Sequence, residues 1–321
     1  MKSIMVTGGL GFIGFNFIRY VHEKYPQYHL SCLDGMTYAA QPFLDEKLKW
    51  LDENGIQVYK YMIFDPNMNF PIGIEKVDTI VNFAAETHVD NSIQDPKPFI
   101  TSNIIGVYNL LEYCRNNNIR FHQIGTDEVY GATNPSMHIN EDSPLVPSSP
   151  YSSTKASADL LALSYWKTFK TKVTVSRCTN NFGPFQHEEK LLPKTITNAL
   201  KNKQIPIYGM GLQRRHWIYV DDHNEAVMKI LQYGKPGEIY NIAPPEENLV
   251  SNISMVKMIL EQLGKSEDLI KYVKDRPGHD DCYFLTGEKI KNSCKFDNSK
   301  RDFMKDLAYT VEWYKERILV K

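Results

Sequence analysis

The first residues whose spacing suggests chemistry form the run Thr7-Gly8-Gly9-Leu10-Gly11-Phe12-Ile13-Gly14, between the short apolar stretch from Lys2 to Thr7 and a periodic stretch from Phe12 to Val21. Gly8, Gly11 and Gly14 recur at three-residue intervals. Such a turn lets backbone N–H groups approach a pyrophosphate at a helix N-terminus, where free donors and the helix dipole favour negative charge. A glycine triplet on its own would also describe a plain tight turn. Asp34, which ends the next apolar run HLSCLD, narrows the choice. A carboxylate at that position accepts both ribose hydroxyls and repels a 2′-phosphate, so the expected cofactor is NAD rather than NADP.

A second set is Tyr151-Ser152-Ser153-Thr154-Lys155, preceded by Pro150 and followed by a helical pattern. Tyr151 and Lys155 are four residues apart and so share a helix face. A phenol is a weak base at neutral pH, but an ammonium and an oxidised nicotinamide nearby would stabilise the phenolate. An ordinary exposed Tyr and Lys is the bland alternative, and the glycine turn argues against it. A third set, Gly125-Thr126-Asp127-Glu128-Val129-Tyr130-Gly131, directly follows an expected strand from Phe121 to Gly125. Strand ends of an open parallel sheet face the ligand crevice. Two adjacent carboxyls there can serve as acid and base if one is desolvated, although a solvated acidic turn would have the same spelling.

These residues need a scaffold that brings strand ends together. Apolar runs at Lys2 to Thr7, at HLSCLD and from Val77 to Ala85 alternate with helical or loop-like segments, as crossovers of a parallel sheet do. Further strands are expected at Phe121 to Gly125, Val173 to Arg177 and Glu238 to Ile242, and helices at Thr101 to Arg115 and Ser152 to Lys170. The expected fold class is α/β: a doubly wound parallel sheet of Rossmann type with a second, smaller substrate-binding lobe. The 321 residues exceed the roughly 250–300 that one core usually serves. The expected division is an NAD-binding domain over 1–181, regaining core elements at about 216–243, and a substrate lobe over 182–215 and 244–321.

Composition bounds the function classes. Hydrophobic residues make up 42% of the chain, enough for buried cores throughout. Thirty-seven Lys and Arg against 38 Asp and Glu give a formal net charge of −1, so no general field attracts nucleic acid or an anionic membrane. Five scattered cysteines without a CxxC pair read as reduced thiols. No signal-peptide pattern or membrane-length apolar run is found, and a cytoplasmic location is expected.

TGGLGFIG, the YSSTK form of Tyr-x-x-x-Lys and above all TDEVYG resemble the extended short-chain dehydrogenase/reductases, and within them the nucleotide-sugar 4,6-dehydratases. Similarity continues through AAETHVDNSI, NNFGPFQHEEKLLP, PIYG, RRHWIYVDDH, YNI, DRPGHD and TVEWY, nearly the whole chain. Thr-Asp-Glu is the specific element, because related epimerases and decarboxylases commonly have a non-acidic residue at the place of Asp127. The resemblance implies catalytic roles for Thr126, Asp127, Glu128, Tyr151 and Lys155, on a nucleoside-diphosphate hexose with dTDP or UDP as the nucleotide. It implies cofactor contacts from Gly8, Gly11, Phe12, Ile13, Gly14, Asp34, Ala84, Ala85, Tyr151, Lys155 and Asn181. Substrate contacts are implied for Thr126, Asn180, Lys190, Leu191, Pro206, Ile207, Tyr208, Arg215, Asn252, Arg276 and His279. Arg215 and Arg276 suit a diphosphate, because a guanidinium stays charged and forks onto two oxygens.

Three departures accompany the resemblance. Met62 stands where the family often has an acidic residue that meets the adenine amine, with Asp65 as the substitute at hand. His216 replaces an Asp, and Asp281-Cys282 replace a basic pair. His187 with Glu188 and Glu189 lacks a second ligand cluster, so no metal is expected. The alternatives are an NAD-dependent nucleotide-sugar 4-epimerase, which needs Tyr151 but not the acid pair, and a non-catalytic NAD-binding regulator. The apolar surplus on the helices at Thr101 to Arg115 and Ser152 to Lys170 predicts a homodimer through those helices, unless the C-terminal segment covers them.

Overall fold

The computed structural model describes residues 2–65 and 77–319. In the first half, β1 (Ser3–Thr7), α1 (Phe12–Lys24), β2 (His29–Asp34), α2 (Leu44–Glu53), β3 (Gln57–Lys60) and β4 (Thr79–Asn82) lead to α3 (Val89–Gln94) and α4 (Lys97–Ile100). A π-helical turn over Thr101–Gly106 then runs into α5 (Val107–Asn117), followed by β5 (Arg120–Thr126), α6 (Pro150–Phe169) and β6 (Val173–Cys178). The second half comprises β7 (Asn180–Phe182), α7 (Leu191–Leu200), β8 (Ile205–Tyr208), β9 (Arg214–Tyr219), α8 (Val220–Tyr233) and β10 (Ile239–Ile242). It ends with β11 (Leu249–Ser251), α9 (Asn252–Leu263), β12 (Ile270–Val273), α10 (Glu288–Cys294) and α11 (Phe303–Leu319).

Seven strands form the main sheet in the order β10-β6-β5-β4-β1-β2-β3, and every pairing in it is parallel. The period-two alternation of strands explains how it is held: Ile4 and Val6 pack into one apolar cluster with Phe15, Ile18 and Val227, while Met5 enters another with Leu110, Phe121 and Ala162. Strand order reverses between β1 and β4, and the ends of both lead into the glycine turn and the Ala84-Ala85 loop, the crevice where doubly wound sheets bind ligands.

Outside this sheet, β11, β9 and β7 form a three-stranded sheet and β12 pairs with β8. β9 pairs with β7 and β11 outside the main sheet; α8 then packs against α1, and β10 joins the main sheet beside β6. The expected strand from Val77 to Ala85 is shorter, because the chain leaves the sheet after Asn82 to bring Ala84 against Gly8. The expected helix from Thr101 to Arg115 is a π turn joined to α5, not one regular helix. Asn103 lies in that turn and donates from Nδ2 to the Glu86 carbonyl at 3.0 Å and to Thr154 Oγ1 at 3.0 Å, while its Oδ1 accepts the Glu86 N–H at 2.8 Å. It thereby ties the loop after β4 to α6, the kind of local irregularity often found beside functional sites.

Candidate active site

The glycine turn is built to be approached closely. Gly8 has φ +67°, and a Cβ there would lie 2.6 Å from the Ala84 nitrogen; a Cβ on Gly14 would lie 2.3 Å from the Gly8 carbonyl oxygen. Neither position admits a larger residue. No side chain caps α1, and Gly11, Phe12, Ile13 and Gly14 line a cavity of about 250 Å³ together with Ala85, Tyr151, Lys155 and Asn181. A smaller adjoining cavity is lined by Gly8, Gly11, Asp34, Ala84, Ala85 and Met62. An uncapped helix start beside a buried carboxylate at a strand end suits a dinucleotide: pyrophosphate at the turn, ribose at Asp34. Met62 lines that second cavity beside Ile63 and Phe64, and Asp65 does not join its lining.

α6 presents the Tyr-Lys pair from a well-defined start. Ser149 caps it, Ser152 completes a reciprocal capping box and Pro150 occupies the first turn. Burial pushes the Tyr151 phenol well above its ordinary value, the nearby Glu128 adds to this, and a hydrogen bond with Thr126 opposes it. Lys155 is not directed at the phenol here: its Nζ donates to the Ile124 carbonyl at 2.6 Å. Burial lowers its proton affinity, and Asp159 partly restores it.

β5 ends at Thr126 and delivers the two carboxyls into a short 3₁₀ turn. Asp127 is 2% exposed, accepts the Thr126 hydroxyl at Oδ1 over 3.1 Å, and has a buried Oδ2 with no hydrogen-bond partner among the described residues. Burial, then the Glu128 charge, push its pKa up to about 8. Glu128 is also raised by burial, but Arg276, Arg215 and Lys190 oppose the shift. The adjacent carboxyls therefore differ: Asp127 holds a proton at neutral pH, and Glu128 faces three cations.

Glu128 also lines a second cavity of about 500 Å³, with Asn180, Lys190, Leu191, Pro206, Ile207, Tyr208, Arg215, Asn252, Arg276 and His279. All the expected substrate contacts beyond Thr126 thus share one chamber, and Thr126 lines the first cavity beside Glu128. Asn180 and Asn181 line both cavities, where the two meet. Arg215 is fixed over the Tyr283 ring at 4.3 Å and donates to the Arg214 and Asp280 carbonyls. Arg276 Nη1 lies 3.4 Å from Asp90, whose other oxygen accepts the Tyr208 hydroxyl at 2.9 Å. Tyr283, Asp90 and Asn103 escaped sequence reasoning; the first two lie within DRPGHD-adjacent and THVDNS text, while Asn103 carries no signal beyond a poor helix former at a helix start.

The departures resolve structurally. His216 faces inward, stacks on Phe284 at 4.8 Å and shares a hydrogen bond with the Pro245 carbonyl at 2.9 Å. Burial lowers its pKa to about 4, so it adds no charge to the chamber. Cys282 is buried and bridges Arg214 through the backbone. Among the described residues no group of three or more His, Cys, Asp or Glu could hold a metal.

Residues 4–243 match the family model described as the NAD dependent epimerase/dehydratase family. A dTDP-glucose 4,6-dehydratase of Mycolicibacterium smegmatis is 40% identical over 315 residues, 97% of this chain and 93% of that protein. The crystal structure of dTDP-glucose 4,6-dehydratase from Bacillus anthracis in complex with NAD superposes with a TM-score of 0.88 at 40% identity, covering 98% of this chain and 97% of that one. That of DesIV, a dTDP-glucose 4,6-dehydratase from Streptomyces venezuelae with NAD and TYD bound, gives a TM-score of 0.91 at 35% identity, covering 98% and 97%. The chain belongs to the NAD dependent epimerase/dehydratase family, among its dTDP-glucose 4,6-dehydratase-like members.

Proposed function

We propose that this family member is an NAD-dependent nucleotide-sugar 4,6-dehydratase, a hydro-lyase that converts an NDP-glucose to the NDP-4-keto-6-deoxyglucose and water. dTDP-glucose is the first substrate to test, because the relatives carry that name, and UDP-glucose the second. The observation that carries the reading is the unequal acid pair: Asp127 buried with a pKa of about 8, next to Glu128 within reach of three cations. An epimerase has no use for that pair. A non-catalytic regulator has no use for it either.

NAD, when bound, supplies a positive ring that favours the Tyr151 phenolate, an acceptor for the C4 hydride and, later, its return to C6. Tyr151 takes the proton from the sugar O4, with the Thr126 hydroxyl holding the same oxygen and Lys155 the cofactor ribose. The resulting 4-ketone acidifies the C5 hydrogen, which Glu128 removes as a proton and gives back to C5 when hydride returns to C6. Hydroxide is a poor leaving group, so Asp127 gives its proton to the C6 oxygen and water departs. Arg215, Arg276 and Lys190 balance the diphosphate, in a substrate lobe assigned to 182–215 and 244–321.

We also assign a homodimer. Ile105, Tyr108 and Leu160 are exposed on the π turn, α5 and α6, and α11 packs against α7 and α9 rather than over them. A cytoplasmic location agrees with five unpaired buried cysteines, and no described helix is long and apolar enough to cross a membrane.

The test is incubation of the purified protein with dTDP-glucose and with UDP-glucose, followed by product mass. Loss of one water without accumulation of NADH is expected. A product of unchanged mass with inverted C4 would point to the epimerase, and no turnover of either sugar would support the regulator.

A further inference from the structure

The turn that would hold the pyrophosphate is gripped from both sides by opposite charges. The Leu10 N–H donates to Asp34 Oδ2 at 2.9 Å, and the Leu10 carbonyl accepts from Lys47 Nζ at 2.7 Å. Lys47 also reaches the Ala40 carbonyl at 3.4 Å, and it is 0% exposed. A fully buried ammonium is costly unless something nearby uses its charge. Asp34 is the group that does: burial raises its pKa, and the Leu10 and Met36 N–H donors, then the Lys47 charge, oppose that rise.

We infer that Lys47 is a positioning residue of the cofactor site, which fixes the Leu10 peptide opposite Asp34 and, through its buried charge behind that peptide, sets the preference for NAD over NADP. The inference rests on the assignment of NAD and of Asp34 to its ribose. A lysine beside this ribose would ordinarily suggest a partner for a 2′-phosphate. Here the sign is reversed, because its Nζ is committed to two backbone carbonyls and out of reach of a ligand. Besides its hold on the Leu10 peptide, its field acts on a ligand only through Asp34, whose carboxylate would accept ribose hydroxyls and repel phosphate.

The experiment is calorimetric titration of the full-length protein, stripped of nucleotide, with NAD and with NADP, for the parent, Lys47→Met and Lys47→Gln. The glutamine keeps a donor for the carbonyls and removes the charge, and it serves also if the methionine variant does not fold. Both variants are expected to weaken NAD by about tenfold and NADP by less than about twofold, so that the ratio narrows. A purely structural lysine would weaken both nucleotides equally. An unchanged ratio in a parent that prefers NAD overturns the role of Lys47 alone, and so does a ratio that Lys47→Gln restores. A parent that binds neither nucleotide overturns the cofactor assignment, and the role of Lys47 with it.

Discussion

Replacing Asp127 with Asn keeps the shape of the side chain and removes the acid. The magnitude follows from the environment. An ordinary carboxyl near pKa 3.9 is protonated in about one molecule in a thousand at pH 7. Asp127, raised to about 8 by burial and by Glu128, is protonated in roughly nine of ten by the same relation. Burial and the Glu128 charge together therefore supply a factor of about a thousand in available acid, inside the range of about 10²–10⁴ that a positioned general acid contributes. Asp127→Asn should retain oxidation at C4 and lose water more slowly by that range. The assay is rapid mixing with dTDP-glucose while reduced nicotinamide absorbance and product mass are followed: the variant should accumulate NADH that the parent does not. In the parent, dehydration should fall as pH rises through about 8, because the proton to be donated is then lost. Dehydration by the variant at the parent's rate would remove Asp127 from the mechanism.

Glu128→Gln should stop removal of the C5 hydrogen while leaving hydride transfer from C4; solvent deuterium at C5 of recovered sugar measures this, and full exchange in the variant contradicts the assignment. Asp159→Ala should destabilise the fold by about 3–5 kcal/mol in chemical denaturation, because it strands the buried Arg177, whose Nε lies 2.8 Å from Asp159. A loss under about 1 kcal/mol would mean that Tyr130, which accepts from Arg177 Nη1 at 2.9 Å, compensates alone. Light scattering at micromolar concentration should give about twice the 37.1 kDa chain mass, and a single-chain value would contradict the dimer.

Sequence carried the parts of this site where local rules bind residue type to backbone position. Gly8 has a positive φ, Asp34 ends a strand, and Pro150 with Ser149 opens a helix, so each is legible from its neighbours. Other parts depend on contacts that the linear text does not encode. Lys47 meets Leu10 across 37 residues and Arg276 meets Asp90 across 186, and neither pair follows a helical or strand period. The regular helix expected from Thr101 fails because Asn103 has better partners in Glu86 and Thr154 than in its own helix, a tertiary override of local periodicity. β9 is not legible as a strand at all, and its pairing with β7 and β11 is decided by the chain fold.

The acid pair marks that boundary most sharply. Spacing alone leaves Asp127 and Glu128 interchangeable, since two neighbouring carboxyls on a solvated turn would titrate alike. Their difference comes from their surroundings: Asp127 is buried at the end of β5, while Lys190, Arg215 and Arg276 are brought to Glu128 from α7's start, β9 and the segment after β12. Desolvation is what raises the first carboxyl to about 8. Cations oppose the rise that burial gives the second. The distinction between the two carboxyls therefore depends on Lys190, Arg215 and Arg276, all of which follow β7 in the chain, as does β10, the last strand to join the main sheet.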